Sequence, residues 1–186
     1  MSDNKVKFGL SHCYYSLITV TSGSVVYGQP VAMPGAVNMN FSPSGESYNF
    51  AADNVANYYS NSGVPGFSGD LEMAYIGDDF KKDVLGFQED TNGAIYETAN
   101  PTTKKFALLF QFEGDAKAVR HCLYNCTASR PSLNSNTIGE TKEPVTDTIT
   151  ITATPNPNTN IVHAYLEEST DTAYTGWFST VYEVDL

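Results

Sequence analysis

The amino-acid sequence predicts a mainly β protein that folds as one domain over residues 1–186. Thr, Val, Tyr and Phe, which favour strands, are abundant, and turn residues interrupt the chain at short intervals. Long runs of Ala, Leu, Glu and Lys, which would indicate extended helices, are missing. A chain of 186 residues is also long enough to bury a hydrophobic core without disulfide bonds.

Alternating apolar residues place the strands along the chain. One segment has Val37, Met39 and Phe41 on one side and Asn38 and Asn40 on the other. Its predicted antiparallel partner is the later segment SGDLEMAYI. Strands are predicted over residues 11–20, 36–42, 68–76, 147–154, 161–168 and 174–184, with two more within 104–129 and a short one within 91–101.

The predicted strand faces also define the candidate core. In SGDLEMAYI, Leu71, Met73 and Tyr75 share one side, whereas Asp70 and Glu72 share the other. Two strong strands meet at a Gly-Asp turn, and their apolar residues form two sets: Phe106, Leu108, Phe110 and Phe112 on one face, and Cys122, Tyr124 and Cys126 on another.

One short α-helix is predicted in the segment DDFKKDVLG. Asp78 is placed to cap its N-terminus, and acidic residues favour a first helical turn. Gly86 is expected to end the helix.

A polar, patterned segment, ESYNFAADNVANYYSNSG, separates the two paired strands. Its period-two alternation predicts a β-hairpin that turns at Asp53-Asn54. A two-stranded ribbon is only marginally stable in water, so this hairpin needs a surface to pack against. The predicted cross-strand pairs are Ala52 with Val55, Phe50 with Asn57 and Tyr48 with Tyr59.

Charge and composition exclude several classes of function. The net charge of −11 makes stable binding to nucleic acid or to an anionic membrane unfavourable. The N-terminus lacks the apolar run of a signal peptide, which predicts a protein made in the cytosol. Three cysteines, an odd number, then predict free thiols rather than a disulfide framework.

Candidate catalytic and metal sites are weak. His12-Cys13 and His121-Cys122 would place their side chains on opposite faces of a strand, so neither pair can hold one ion. The motif DTNG at 90–93 lacks the later ligands of a calcium loop. The acid pairs are adjacent in sequence, whereas a glycosidase needs two carboxylates facing each other across a cleft. These pairs are Asp78-Asp79, Glu89-Asp90 and Glu167-Glu168.

Four motifs, SPSGE, SGDLEMA, DDFKKDVLG and FALLFQFEGD, occur in this order along the chain. Because of these motifs and their order, residues 5–186 resemble the major tail protein, or tail tube protein, of siphophages, which are phages with long non-contractile tails, that infect Gram-positive bacteria. The resemblance implies a β-sandwich or partial barrel of two packed antiparallel sheets, with one short helix and a protruding hairpin arm at about 43–66. Some members carry a C-terminal immunoglobulin-like domain, which is not expected here because the sequence ends at Leu186.

The same resemblance implies the function. It indicates a structural virion protein of a phage or prophage, without enzymatic activity or cofactor, whose hexameric rings stack into the tail tube through which DNA is ejected. The implied partners are other copies, the tape measure protein during assembly, and the tail terminator and distal tail proteins. DNA passes transiently, and no membrane is involved.

Two sets of residues acquire expected functions from the resemblance. The family's long loop reaches onto neighbouring subunits, which predicts an inter-subunit contact through Tyr48, Phe50, Val55, Tyr58 and Tyr59. The inner sheets line the DNA channel, and the pleat sends a row of acids and amides away from the core. The expected lumen residues are Asn38, Asn40, Asp70, Glu72, Gln111 and Glu113.

Two alternatives from other classes remain at this point. A carbohydrate-binding β-sandwich of a phage or bacterial protein would use Trp177, Tyr174 and Tyr182 as a sugar platform. A hydrolase would place one of the acid pairs in a cleft.

Overall fold

The computed structural model describes residues 4–21, 23–45, 47–63, 66–138 and 144–185. These residues form antiparallel β-structure with two short helices, which confirms the predicted mainly β class. The strands are β1 (Lys7–Thr21), β2 (Ser24–Tyr27), β3 (Val31–Ala32), β4 (Ala36–Ser44), β5 (Ser47–Ala52), β6 (Val55–Ser62), β7 (Gly66–Met73), β8 (Gln88–Glu89), β9 (Ile95–Tyr96), β10 (Phe106–Gly114), β11 (Val119–Ala128), β12 (Asp147–Thr154) and β13 (His163–Glu167), and the helices are α1 (Asp78–Asp83) and α2 (Thr172–Thr175).

Nine of the strands belong to one antiparallel sheet. Its order is β2-β1-β10-β11-β12-β7-β4, with β3 paired to β1 and β13 paired to β11. The first half of β11 pairs with β13 and the second half pairs with β12. Residues from β10 and β7 meet in one core, so the sheet curls around that core without closing into a barrel.

The main core is covered by α1 at one end. Phe80 of α1 packs edge-on against Tyr15 and Phe106, with ring centroids 5.2 and 5.6 Å apart. The Tyr15 hydroxyl also donates a hydrogen bond to Asp83 over 2.8 Å. Neither helix in the described ranges is long and apolar enough to span a membrane.

A second apolar cluster lies on the other face of β10 and β11. Ala107, Leu109, Cys122 and Tyr124 pack there against the fully buried Trp177. The predicted strand over residues 174–184 is wrong, because this segment forms the end of α2 followed by turns. Its strand-like aromatic composition instead supplies the cover for this second face.

The predicted pairing of β4 with β7 is confirmed. Met39 lies opposite Leu71, and Asn40 lies opposite Asp70. Val37 was predicted to lie on the core side of β4 with Met39 and Phe41. It is instead 51% exposed. It is the extra residue of a β-bulge between the pairs Ala36–Met73 and Asn38–Glu72, and such a residue leaves the alternation of its strand.

Two further side chains depart from their predicted faces. Cys126 packs in the main core and not beside Cys122 and Tyr124, because β11 has one residue more than β10 between the pairs Leu108–Leu123 and Phe106–Cys126. Tyr75 is 58% exposed, because β7 ends at Met73.

Helix α1 begins differently from the prediction. Gly77 is its N-cap and makes no side-chain capping bond. Asp78 lies in the first turn and pairs with Lys81 over 3.1 Å. Gly86 has a φ of +78°, a left-handed conformation that favours glycine, so its predicted function in ending the helical turn is confirmed.

Gly69 allows β4 to lie close to β7. A Cβ atom at this position would lie 1.9 Å from the carbonyl oxygen of Asn40, a backbone atom that cannot move alone. Gly69→Ala should therefore reduce the free energy of unfolding by roughly 2–3 kcal/mol, as overpacking does. A thermal melt followed by circular dichroism should show a Tm lower by about 5–10 °C.

Gly63→Ala is the matched control, because no atom of the described residues lies within 4 Å of the added methyl group. Its Tm should stay close to that of the parent. Equal melting temperatures for the two variants would contradict the close approach of the strands at Gly69.

Candidate assembly surfaces

Strands β5 and β6 form a hairpin with a sheet of its own. Asp53 and Asn54 have φ values of +50° and +59°, which fits the two central residues of a type I′ turn. The predicted turn and the predicted pair Ala52–Val55 are confirmed.

The rest of the predicted hairpin register is wrong. Phe50 lies opposite Tyr59 and not Asn57, and Tyr48 lies opposite Asn61 and not Tyr59. The register shifts between Phe50 and Ala52, where β6 contains two residues more than β5. Such an irregularity increases the local twist of a ribbon, and a pattern of alternation cannot indicate it.

Four large apolar side chains of the hairpin are exposed. The exposed fractions are 48% for Phe50, 52% for Val55, 62% for Tyr58 and 56% for Tyr59, and none of the four belongs to either core cluster. Alternation places Val55 and Tyr59 on one face with Phe50, and Tyr58 on the other. The side chain of Tyr48, the fifth predicted contact, lies outside the described part of the structure.

Four of the six expected lumen residues come together on one sheet face. Asn38 lies opposite Glu72, and Asn40 lies opposite Asp70. Strand β12 continues the face, since Thr150 donates a hydrogen bond to Asp70 over 2.7 Å. We call this surface the polar face, and it contains no lysine or arginine: Asn38, Asn40, Ser42, Ser68, Asp70, Glu72, Thr148, Thr150 and Thr152.

The threonine row of the polar face was not predicted from the sequence. Thr148, Thr150 and Thr152 alternate with the core residues Ile149 and Ile151. That alternation was visible in DTITITAT, but the position of β12 beside β7 was not.

The other two expected lumen residues lie elsewhere in the sheet. Gln111 is only 6% exposed, so its expected place on a solvated face is wrong. It accepts a hydrogen bond from Arg120 over 3.0 Å and donates one to Glu113 over 2.8 Å. Glu113 is half-buried and also accepts a hydrogen bond from Ser11. Both are on β10, which β11 separates from the strands of the polar face.

An open groove lies at the end of the sheet away from α1. We call it the aromatic groove, and two adjoining cavities of about 420 and 290 Å³ share its central residues Phe112, His121 and His163. The aromatic groove is lined by seven rings: Phe41, Phe67, Phe110, Phe112, His121, His163 and Tyr165.

Two histidines form the centre of the aromatic groove. Nδ1 of His121 and Nε2 of His163 are 3.0 Å apart, and the rings stack with centroids 5.3 Å apart. Burial lowers the pKa of His121 to about 4, with further contributions from His163 and Lys7, and burial also lowers the pKa of His163. Both imidazoles are therefore neutral at pH 7, and one donates to the other.

The cysteines are buried and chemically inert. Burial raises the pKa of Cys13 to about 12 and that of Cys122 well above its usual value, so neither is a thiolate at neutral pH. His121 faces the aromatic groove, whereas Cys122 packs in the second core, as alternation predicted. Among the described residues, no three His, Cys, Asp or Glu side chains are grouped to hold a metal ion.

The acidic pairs have structural partners. Asp90 accepts backbone hydrogen bonds from Ala94 and Asn92, which lower its pKa and hold the DTNG turn. Glu89 pairs with Lys82 over 2.9 Å, and Glu167 pairs with Lys117 over 3.6 Å. These contacts give Glu89, Asp90 and Glu167 structural functions in a turn and in ion pairs.

The structure does not support the alternative of a sugar platform. Trp177 is fully buried and Tyr174 is 6% exposed, so neither ring can stack on a ligand. Tyr182 stacks on Trp177 with centroids 5.3 Å apart. The guanidinium of Arg120 lies 3.8 Å from the centroid of the Tyr174 ring, which fixes this segment on the sheet.

A curled sheet with an exposed apolar hairpin and an uncovered polar face fits a protein built to contact copies of itself. Compared with known families, residues 3–164 match phage tail tube proteins. The chain belongs to the phage tail tube protein family. A search of curated proteins found no match. The family confirms the resemblance to major tail proteins of phages of Gram-positive bacteria.

Membership of this family defines the function at a coarse level. The tail tube protein is a structural component of a phage tail that assembles with itself into a tube, and its place is the virion. A structural family also indicates a non-enzymatic protein.

Proposed function

We propose that this tail tube protein forms hexameric rings that stack into the tail tube of a siphophage, and that DNA is ejected through the tube. The hairpin carries the proposal. It exposes four large apolar side chains, Phe50, Val55, Tyr58 and Tyr59, in a chain whose family assembles into tubes. Tyrosine is enriched at the centre of protein interfaces because it buries much area and still forms hydrogen bonds.

The hairpin contacts a neighbouring subunit in this proposal. Its described side chains contribute to neither core, so they add little to the stability of their own subunit. Exposed apolar side chains of this size are usual at interaction sites. Tyr58 on one face and Tyr59 on the other give the hairpin two apolar surfaces.

The polar face lines the lumen in the same proposal. Asp70 and Glu72 are its acids, and hydroxyl and amide groups surround them. A wall without basic side chains forms no salt bridges with phosphates, and so it does not retain DNA through counterion release. Gln111 is left out of the lumen because it is buried within the subunit.

The proposed partners follow from a tube with two ends and a filled channel. The tape measure protein occupies the lumen during assembly, and the tail terminator and distal tail proteins bind the ends. Copies of the chain itself provide every contact along the length.

Electron microscopy tests this function. The full chain is concentrated, alone and with the tape measure protein, and examined by negative stain, while sedimentation velocity gives its oligomeric state. Rings with six-fold symmetry or tubes are expected. A monomer under every condition, with no ring or tube, would contradict self-assembly.

A further inference from the structure

Two of the solvent-exposed apolar surfaces in the described part of the subunit bear on assembly. One is the hairpin face with Phe50, Val55 and Tyr59, and the other is the aromatic groove. Tyr165, at the edge of the groove, is 63% exposed. The proposed function gives the hairpin a neighbouring subunit to contact, but it does not say which surface of that subunit.

Both surfaces lie at the same end of the subunit. The hairpin leaves the sheet between Ser44 of β4 and Gly66 of β7, which are paired. The next residue, Phe67, lines the aromatic groove and packs against His163, with ring centroids 5.8 Å apart. When two subunits lie side by side, the hairpin of one copy is therefore at the same height as the groove of the next. A six-residue strand such as β5 spans about 20 Å, which is long enough to reach across to that groove.

The two surfaces are also complementary in charge. Asp53, at the tip of the hairpin, is the only charged residue between positions 47 and 63. Two lysines and two acids line the aromatic groove: Lys5, Lys7, Glu113 and Glu167. Both acids already have partners within the subunit, since Glu167 pairs with Lys117 and Glu113 accepts hydrogen bonds from Ser11 and Gln111. Neither lysine forms an ion pair with a described residue. The groove centre is uncharged because the stacked histidines are neutral. An apolar face with one acid at its end thus meets an apolar groove with basic residues at its edge.

We propose that the hairpin of one subunit docks in the aromatic groove of the adjacent subunit of the same ring. Phe50, Val55 and Tyr59 then cover the ring pair His121–His163, and Asp53 lies near Lys5 and Lys7. The contact is head-to-tail, because hairpin and groove are different surfaces, and head-to-tail contacts form a ring when the rotation between neighbours closes. This inference rests on the proposed function, since it locates the contact that the hairpin makes.

Photo-crosslinking in assembled tubes tests the docking site. A photoreactive phenylalanine derivative replaces Tyr59 in unlabelled subunits. These assemble together with nitrogen-15-labelled subunits, so that a crosslink to a heavy peptide identifies a neighbouring subunit. Mass spectrometry then identifies the heavy peptides that become attached. Adducts are expected on peptides that contain Phe112, His163 or Tyr165. The same derivative at Tyr58, on the opposite hairpin face, is the matched control and should give adducts outside the groove.

The outcomes separate this inference from the proposed function. Heavy-peptide adducts elsewhere on the neighbouring subunit would contradict the groove as the docking site but would still support an inter-subunit contact through the hairpin. Adducts confined to the same subunit would overturn both.

A substitution at the groove edge gives a second test. Tyr165→Glu places a charge where the hairpin docks, so tube yield should fall about tenfold or more, as for a central interface residue. Tyr165→Phe keeps the ring and should assemble normally. Thermal melts of both variants confirm folding, and a folded Tyr165→Glu variant with normal tubes would overturn the docking site.

Discussion

A subunit that lacks residues 47–62 will fold but will not form tubes. The deletion removes β5 and β6 and leaves five residues, 45, 46 and 63–65, between Ser44 and Gly66. Five residues are enough to connect paired antiparallel strands, and both Gly45 and Gly63 remain in the new loop. The β4–β7 ladder, with its core residues Met39 and Leu71, is unchanged.

The deletion should separate stability from assembly. Because the described hairpin side chains lie outside both cores, the Tm should change by no more than about 4 °C, or about 1 kcal/mol in a domain of this size. Tube yield should fall below detection, because every subunit in a ring loses the same contact. Circular dichroism melts and negative-stain microscopy measure the two effects.

Point variants provide a matched control for the deletion. Tyr59→Ser removes one exposed apolar ring from the hairpin, and Leu133→Ser removes a fully exposed apolar side chain from another loop. Only the hairpin variant should reduce tube yield. Loss of cooperative melting in the deletion variant would instead show that the hairpin stabilises the subunit, and normal tubes from it would contradict the proposed contact.

Virions that carry Asp70→Lys with Glu72→Lys should form tubes but eject DNA slowly or not at all. Both residues lie on the polar face, and neither belongs to the hairpin or lines the aromatic groove, so assembly contacts should be retained. The change adds four positive charges per subunit relative to the parent, and the repeats of a tube multiply it. Each phosphate that a lysine neutralises releases counterions, so DNA would be retained along the whole lumen.

The salt dependence gives this prediction its sharpest form. Attraction between lysine and phosphate is screened within about 10 Å at 0.1 M salt and within about 3 Å at 1 M salt. Ejection, followed with a DNA-binding dye after receptor is added, should therefore recover as salt is raised. Asp70→Asn with Glu72→Gln, which removes charge without adding a basic group, should have the smaller effect.

The control variant changes the same charge at a different place. Glu183 and Asp185 are exposed in the C-terminal segment, which packs on β10 and β11, whereas the polar face is on β4, β7 and β12. Glu183→Lys with Asp185→Lys should eject DNA normally. Normal ejection from the Asp70 and Glu72 double variant would contradict a lumen position for the polar face.

Much of the fold could be predicted because its signals are local. The turn at Asp53-Asn54 needs two residues that tolerate positive φ, and asparagine and aspartate do so. The pairing of β4 with β7 follows from two matched alternations, since a shift by one residue would expose Met39 and Leu71. The four polar residues that these strands turn outward were predicted with the same argument.

The candidate site was predicted only in part, because its remaining features depend on segments far apart in sequence. His121 and His163, 42 residues apart, meet because β11 pairs with β13, and nothing near either histidine indicates the other. Gln111 was predicted to be a surface residue on β10, but it is buried and bonded to Arg120, which in turn donates a hydrogen bond to the carbonyl of Tyr174 in α2. Burial of a strand's second face depends on which distant segment covers it.

The sequence by itself determined the β class, the period of each main strand, the hairpin turn and the absence of charge along most of the hairpin. Tertiary structure alone decided where that period is interrupted and what covers each face. The bulge at Val37 and the extra residue before Cys126 arise where two strands of unequal length must stay paired. Alternation is a property of one strand, whereas register, bulges and burial are properties of its neighbours, and a single strand's sequence does not contain them.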